Sequence, residues 1–213
     1  MTETPDDELQ LIRRASEGDD QGWRELVDRY RGRLQRMVAL RIDRRMQRRL
    51  NASDIVQEAY LEAAKHLAEY VQDPKMPLYL WLRGITGNKL LELHRHHLGF
   101  KMRDAKRDIG LDGGGDGMQS NSRAVAAALA ADNTSPSMAA SREEMRRVLE
   151  EALDSLEPLD REVLALRHFE QLSNGETAQV LNLESSAASK RYVRALKRLK
   201  GVLAPGHDDH AEN

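Results

Sequence analysis

The 213-residue chain has no cysteine. That excludes disulfides, zinc ribbons and thiol nucleophiles outright, and it suits a reducing cytoplasm. Aromatic residues are scarce, at 4%, which disfavours one large β-rich core against small helical modules with narrow apolar stripes. No apolar run approaches the roughly 18 residues that a membrane span needs. The opening Met1–Glu8 is acidic, unlike a secretory leader. The expectation is a cytoplasmic chain with no membrane partner. A large net charge is missing as well: 33 Lys+Arg against 35 Asp+Glu leave −2. A protein that coats nucleic acid by bulk charge is therefore excluded, whereas a locally basic surface is not. The 40% hydrophobic share is too high for a wholly disordered chain.

The charge that is present is unevenly placed. Arg29, Arg31, Arg33, Arg36, Arg41, Arg44, Arg45, Arg48 and Arg49 face a single acid, Asp43, within their stretch. Between Ser185 and Leu203 stand Lys190, Arg191, Arg194, Lys197, Arg198 and Lys200, with no acid among them. Acids gather in the N-terminal segment, after Asn51, between Glu143 and Glu176, and in His207–Asn213. Two basic stretches, each beside acidic neighbours, hide behind a near-zero sum.

Wherever a period is legible it is helical, so the chain is expected to be all-α. Leu9, Ile12 and Ser16 start a short helix that stops at Gly18-Asp19. Trp23, Leu26, Val27, Tyr30, Leu34, Met37, Val38 and Met46 keep the rhythm of one long amphipathic helix. Asn51 is placed to cap the next helix, whose apolar positions are Ile55, Ala59, Leu61 and Leu67. Pro74 and Pro77 bracket a short loop, and Pro77 suits the first turn of a helix running to about Leu98. These elements make a first domain, residues 8–98.

Residues 99–140 are expected to be a flexible linker. Gly113, Gly114, Gly115 and Gly117 punctuate it, and Ala124–Ala131 offers at most a short helix. A free coil of that length averages roughly 35 Å end to end and reaches about 130 Å when extended. A second domain spans 141–203, with Ser141 and Glu144 spaced as a capping box. Met145, Val148, Leu149, Ala152, Leu153 and Leu156 share one face, and Pro158 opens the next helix. Ser173 and Glu176 are spaced to cap a short helix that ends at Asn182, a residue tolerant of the left-handed conformation. A further helix follows from Ser185. This is a helix-turn-helix whose second helix carries the six cations. Residues 204–213 are expected to be a disordered acidic tail.

A recognition helix needs small residues at its start to approach base edges, and cations further along to meet phosphates. Ser185, Ser186, Ala187, Ser189, Lys190, Arg191 and Arg194 fit that description, with Arg191 suited to a guanine edge. The same helix also fits a solvated amphipathic closure of a small domain. The Arg29–Arg49 block is open to both readings too, a phosphate face or a solvated helix. Asp54, Glu58 and Glu62 repel DNA and suit a protein partner with a basic surface.

Asn51-Ala52-Ser53-Asp54-Ile55-Val56-Gln57-Glu58-Ala59-Tyr60-Leu61-Glu62-Ala63 resembles region 2.2 of the extracytoplasmic-function sigma factors of the sigma-70 superfamily. Tyr79-Leu80-Trp81-Leu82-Arg83-Gly84-Ile85-Thr86-Gly87-Asn88 is similar to their promoter-melting helix. Leu156-x-Pro158-Leu159-x-Arg161-Glu162-Val163-Leu164 and Leu172-Ser173-x-x-Glu176-x-Ala178-x-Val180-Leu181 resemble their region 4. The resemblance implies a sigma factor that binds core RNA polymerase and directs transcription from promoters with −35 and −10 elements. It assigns Asp54, Gln57 and Glu58 to core polymerase. It assigns Lys75, Arg83, Asn88 and Lys89 to −10 DNA, and the helix from Ser185 to Arg194 to the −35 element. The alternative is a stand-alone helix-turn-helix regulator acting as a dimer.

The chain departs from the family pattern at Asn51 and Ser53, where acids are common, and this leaves the polymerase-facing patch less negative. Phosphorylation of Ser53 would restore about −1.5 to −2 charges beside a helix N-terminus, so Ser53 is a candidate phosphosite for a Ser/Thr kinase. A separate anti-sigma factor is the other regulator to expect. His94 and His97 share a helical face, but no second ligand cluster accompanies them, so surface histidines are the better reading. Gly113–Gly117 lacks the Lys-Ser/Thr of a phosphate loop. The expectation is no enzyme, no metal and no cofactor.

Overall fold

The computed structural model describes residues 5–43, 45–47, 50–98, 119–132 and 139–203. They form two compact units that divide between residues 118 and 119. Among the described residues every regular element is a helix.

The first unit holds α1 (Pro5–Ser16), α2 (Asp20–Arg41), α3 (Ala52–Gln72) and α4 (Leu78–Leu98). Gly18, at φ +90°, ends α1 in a conformation that costs a residue without a Cβ little. Asp19 then caps α2 by accepting the Gln21 N–H at 2.9 Å. α1 and α2 pack tightly here, since a Cβ at Gly22 would lie 2.9 Å from Arg14 Cβ. The apolar rhythm predicts α2 as far as Met46, but the helix stops at Arg41 and Ile42 turns extended. Local side-chain chemistry takes over at that point: the Asp43 carboxylate accepts the Arg45 N–H and guanidinium, and the Asp43 N–H donates to His94 Nε2. Such a side chain offers the backbone an alternative to helical pairing. Met46 still enters the core from the turn that follows.

Asn51 caps α3 as its spacing predicts, accepting the Asp54 N–H at 3.0 Å. Ile55, Val56, Ala59, Ala63 and Leu67 face inward, and the Tyr60 hydroxyl donates to the Val27 carbonyl at 2.8 Å. Each large apolar side chain so buried contributes roughly 1.5–3 kcal/mol. Leu61, placed among the apolar positions by the sequence, is instead 64% exposed. α4 begins just after Pro77, whose carbonyl accepts the Trp81 N–H. Its first turns are enclosed on every side, with Leu78, Tyr79, Leu80, Trp81 and Leu82 all buried.

The second unit holds α5 (Ser122–Asp132), α6 (Ala139–Asp154), α7 (Pro158–Leu164), α8 (Asn174–Leu181) and α9 (Ser185–Leu203). α7 runs on into a wide helical turn at Ala165–Phe169. α5 falls where the sequence predicts a linker. Its Val125, Ala126 and Ala130 are buried against α6, and the Ser120 N–H ahead of it donates to Glu162 on α7 at 2.7 Å. The described part of 99–140 that precedes α6 thus belongs to the second unit's core. Gly113–Gly117 and the tail 204–213 lie outside the described residues. Ser141, expected as a cap, lies inside α6, which begins earlier at Ala139; alanine is the strongest helix former. Met145 is exposed, while Leu149, Ala152, Leu153 and Leu156 are buried. α8 carries the full capping box: Glu176 N–H to Ser173 Oγ at 3.2 Å, and Ser173 N–H to Glu176 Oε2 at 2.7 Å. Asn182 takes the left-handed conformation at φ 51° and ψ 49°.

Candidate protein and nucleic-acid interfaces

On α3 the side chains at Ser53, Asp54, Gln57 and Glu58 are all exposed. At 100° per residue, Asp54, Gln57, Glu58 and Leu61 fall within one narrow stripe, with Leu61 at its centre. Sequence reading missed Leu61 because it was counted with the core. The signal was its spacing: Leu61 is two residues from both Ala59 and Ala63, which turns it away from the Ile55–Ala59–Ala63–Leu67 face. The stripe therefore combines an exposed leucine with acidic and amide side chains.

Between α3 and α4 lies a cleft of about 810 Å³, its lining including Glu58, Glu62, Tyr70, Lys75, Asn88 and Lys89. Trp81 and Tyr70 also line it, stacked at 4.7 Å. The Tyr70 hydroxyl donates to the Met76 carbonyl and ties down the loop before α4. Burial pushes the Tyr70 hydroxyl up to about 12, so it stays a proton donor. Three of the four residues assigned to −10 DNA therefore come together here. The fourth does not: Arg83 lies on the enclosed first half of α4 and is only 8% exposed. Lys89 is held by Glu58 at 3.1 Å and by Glu92 at 3.3 Å. Hydrogen bonds to those two carboxylates raise its pKa above the ordinary lysine value. A residue assigned to polymerase and one assigned to DNA are thus paired with each other, which no linear motif displays.

Among the described residues, the arginines between Arg29 and Arg49 do not form a bare cationic face. Arg29 approaches Glu8 at 3.8 Å, Arg31 pairs with Asp28, and Arg33 stacks 3.6 Å over the Tyr79 ring. Arg41 is buried and donates to the Met37 carbonyl, and Arg45 pairs with Asp43. The Arg45 hydrogen bond holds the Asp43 carboxyl down at about 2. Arg44, Arg48 and Arg49 lie outside the described residues. His94 is half-buried, and that burial lowers its pKa. It is an acceptor for Asp43 rather than a surface group, a correction to its reading as a surface histidine.

In the second unit Asn174 Nδ2 donates to the Ser185 carbonyl at 2.8 Å and to its Oγ at 2.6 Å. That link fixes where α9 starts relative to α8. Ser186, Ser189 and Lys190 are exposed, and Ala187 is half-buried. A shallow groove on α9 is lined by Ser189, Lys190, Val193, Arg194, Lys197 and Arg198. Val193, 58% exposed, is a second apolar residue that reasoning from motifs passed over. Arg191 and Arg194 are not free in the groove: both reach the carboxylate of Asp160 on α7.

The family model described as Sigma-70 region 2 matches residues 26–98, and that described as Sigma-70, region 4 matches residues 146–199. The chain is 27% identical over 198 residues to the ECF RNA polymerase sigma factor SigD of Mycobacterium tuberculosis, covering 93% of this chain and 84% of SigD. It is 29% identical over 162 residues to the probable RNA polymerase sigma factor RfaY of Xanthomonas campestris, covering 75% of this chain and 36% of RfaY. A solved structure of CnrH in complex with the cytosolic domain of CnrY shares the fold. That match covers 92% of this chain and 96% of the other, with a TM-score of 0.54 and 24% identity. No helix among the described residues is long and apolar enough to cross a membrane. With region 2 and region 4 in order along one chain, and a sigma factor matching nearly its whole length, the protein belongs to the extracytoplasmic-function sigma factors of the sigma-70 superfamily and directs promoter-specific transcription initiation.

Proposed function

We propose that the two faces divide the work of initiation between them. The α3 stripe of Asp54, Gln57, Glu58 and Leu61 docks on a basic surface of core RNA polymerase. The α3–α4 cleft takes a base unstacked from the −10 element, with Lys75, Asn88 and Lys89 at its rim. Unstacking costs a few kcal/mol, so polymerase contacts and the aromatic floor must offset it together. Ser186, Ser189 and Lys190 enter the major groove at −35. The protein is a non-catalytic specificity subunit, and the polymerase supplies the chemistry.

The observation that carries this reading is the separation of charge: an exposed acidic stripe on α3 and an exposed cationic helix after the capped turn at Asn182. A −35 and a −10 element two turns apart are separated by about 70 Å. Residues 99–118, fully extended, span roughly 70 Å, which suits a connection drawn out along the polymerase. A stand-alone dimeric regulator would have no use for the region 2 match.

The test is to add the protein to sigma-free core polymerase and map transcript starts on genomic templates. Discrete starts sharing upstream −35 and −10 elements are expected. No starts and no co-migration with core, from wild type and from Ser53→Asp alike, would overturn the reading.

Regulation is proposed to act on the same α3 face. Ser53 is exposed in its first turn beside Asp54, where a phosphate meets the favourable end of the helix dipole. CnrH is solved with a second protein's cytosolic domain, and a separate anti-sigma protein covering the stripe is the competing control. Equal affinity of Ser53→Ala and Ser53→Asp for core polymerase would eliminate the kinase.

A further inference from the structure

Asp160 is the least expected residue in the second unit. It is a carboxylate at 0% exposure, yet it lies one helix away from the DNA-facing surface proposed above. Arg191 Nη1 donates to its Oδ1 at 2.7 Å. Arg194 forks onto both oxygens, Nε to Oδ2 at 3.1 Å and Nη2 to Oδ1 at 3.2 Å. Arg191 also reaches Glu157 at 3.3 Å. A planar guanidinium fork on a carboxylate fixes orientation as well as distance. Burial pushes the Asp160 carboxyl up, and the two guanidinium hydrogen bonds outweigh it, leaving it below the ordinary carboxylate value.

The rotation of α9 about its own axis follows from these bonds. Ala188 and Ala195 are buried and mark its inner side. At 100° per residue, Ser186, Ser189, Lys190, Val193 and Lys197 centre on the opposite side, and all five are exposed. Arg191 lies between the two, turned toward α7. Alanines at the inner positions allow close approach but do little to resist rolling of the helix. Half-buried Tyr192, beneath the Arg167 guanidinium, and the Asn174–Ser185 bonds restrain it in part, and the two arginines forked onto one buried carboxylate add the directional restraint. Val193 presents methyl groups on the outer stripe, where a thymine C5-methyl would be met in the major groove.

We propose that Asp160 is a positioning residue for promoter recognition: it holds Arg191 and Arg194 against α7, sets the rotation of α9, and leaves −35 reading to Ser186, Ser189, Lys190 and Val193. Arg191 then acts inside the protein and does not read a guanine. This rests on the sigma reading and deepens its −35 half.

The experiment uses the full chain assembled with sigma-free core polymerase. Promoter affinity is measured against salt concentration, and the −35 preference is scored from a randomised −35 library. A protein–phosphate contact contributes about 0.9 to the slope of log K against log salt. Lys190→Gln should lower the slope by about that amount. Arg191→Gln should leave the slope unchanged and lower discrimination across all −35 positions together, by about tenfold. Asp160→Asn should lose discrimination in the same way while keeping or steepening the slope, because it frees two cations. A drop of about one in slope for Arg191→Gln would show a direct phosphate contact and overturn the proposal. So would relaxation at a single −35 position, the signature of a base contact. If Asp160→Asn does not fold, the Arg191→Gln and Lys190→Gln pair decides alone. Absence of starts from wild type would sink the sigma reading itself; wild-type starts with either overturning result would sink only the role of Asp160.

Discussion

α3 and α9 are both amphipathic helices on the outside of a small helical unit, and they leave opposite charges in water. α3 carries Asp54, Glu58, Glu62 and Glu69 against Lys65; α9 carries six cations and no acid. The two units also restrain their cations differently. In the first, Lys89 is held by Glu58, and both remain partly in solvent. In the second, Arg191 and Arg194 are held by a carboxylate with no exposure. An exposed pair trades readily for water or for a partner's charge. A buried carboxylate has no such exchange open to it. If polymerase docks on α3 as proposed, the first unit therefore offers a surface that adjusts on docking, and the second offers one set in advance.

The largest way to break that comparison is to remove the buried carboxylate. Asp160→Ala should cost about 3 kcal/mol, the low end for a broken buried pair, since the freed guanidiniums can reach water. Hydrogen exchange should show the loss in α9 amides, with α3 amides unchanged. A loss under about 1 kcal/mol would put Asp160 on a par with a surface acid and end the contrast. Next in size is Leu61→Arg. As a surface change it should move folding stability by no more than about 0.5 kcal/mol. It should weaken core polymerase binding by at least tenfold, as expected when an interface anchor is lost. Retained affinity would show that the α3 stripe is not the docking face.

The units should also part company with pH. Burial lowers the His94 pKa, so the unfolded chain takes up a proton first as pH falls. The contribution of neutral His94 is complete above about pH 6.5 and declines below it. His66 is exposed and works in the opposite sense: hydrogen bonds to Glu69 and Glu62 raise its pKa, adding stability at low pH that is lost as pH rises through the raised value. Asp160 is depressed, so its contribution is complete above about pH 4 and is lost only below that, as pH falls through its lowered pKa. Melting between pH 7.5 and 5 should soften the first unit before the second. His94→Gln should abolish that early loss; an unchanged pH profile in this variant would clear His94 of the role.

What was legible in the sequence had local causes. The caps at Asn51, Ser173 and Asn182 are made within three or four residues of chain, and the apolar periods of α3 and α6 are set by a single helix's geometry. What was not legible came from contacts between distant segments. α5 looked like part of a linker because its alanine-rich run is short and lies between a glycine-rich stretch and Pro136. Only the α6 surface beneath Val125 and Ala130 makes it a packed helix. α2 overran by five residues because apolar spacing continues past Asp43, and the bond to His94 comes from fifty-one residues away. Of the residues assigned to −10 DNA, Lys75, Asn88 and Lys89 do share one cleft. Arg83 stands apart from them because the first half of α4 is enclosed on every side, so no polar stripe marks an outward side there. Nothing local to Arg191 signals its bond to Asp160, thirty-one residues upstream.

The smallest effect is the finest test of how the first unit adjusts. Glu58 and Lys89 meet at 3.1 Å with half of the glutamate side chain in solvent. A double-mutant cycle with Glu58→Gln and Lys89→Gln should give a coupling of roughly 0.2–1 kcal/mol at low salt. At 1 M salt, where the screening length falls to about 3 Å, it should vanish. The same cycle on Asp160→Asn and Arg191→Gln should keep most of its coupling, because ions cannot approach a carboxylate with no exposure. Binding to core polymerase should remove the Glu58–Lys89 term altogether if docking takes the glutamate for itself, and Lys89 is then released toward the cleft at the moment DNA must be opened. A coupling that survives in the holoenzyme would mean Glu58 stays with Lys89 throughout. The polymerase contact would then fall to Asp54, Gln57 and Leu61 alone.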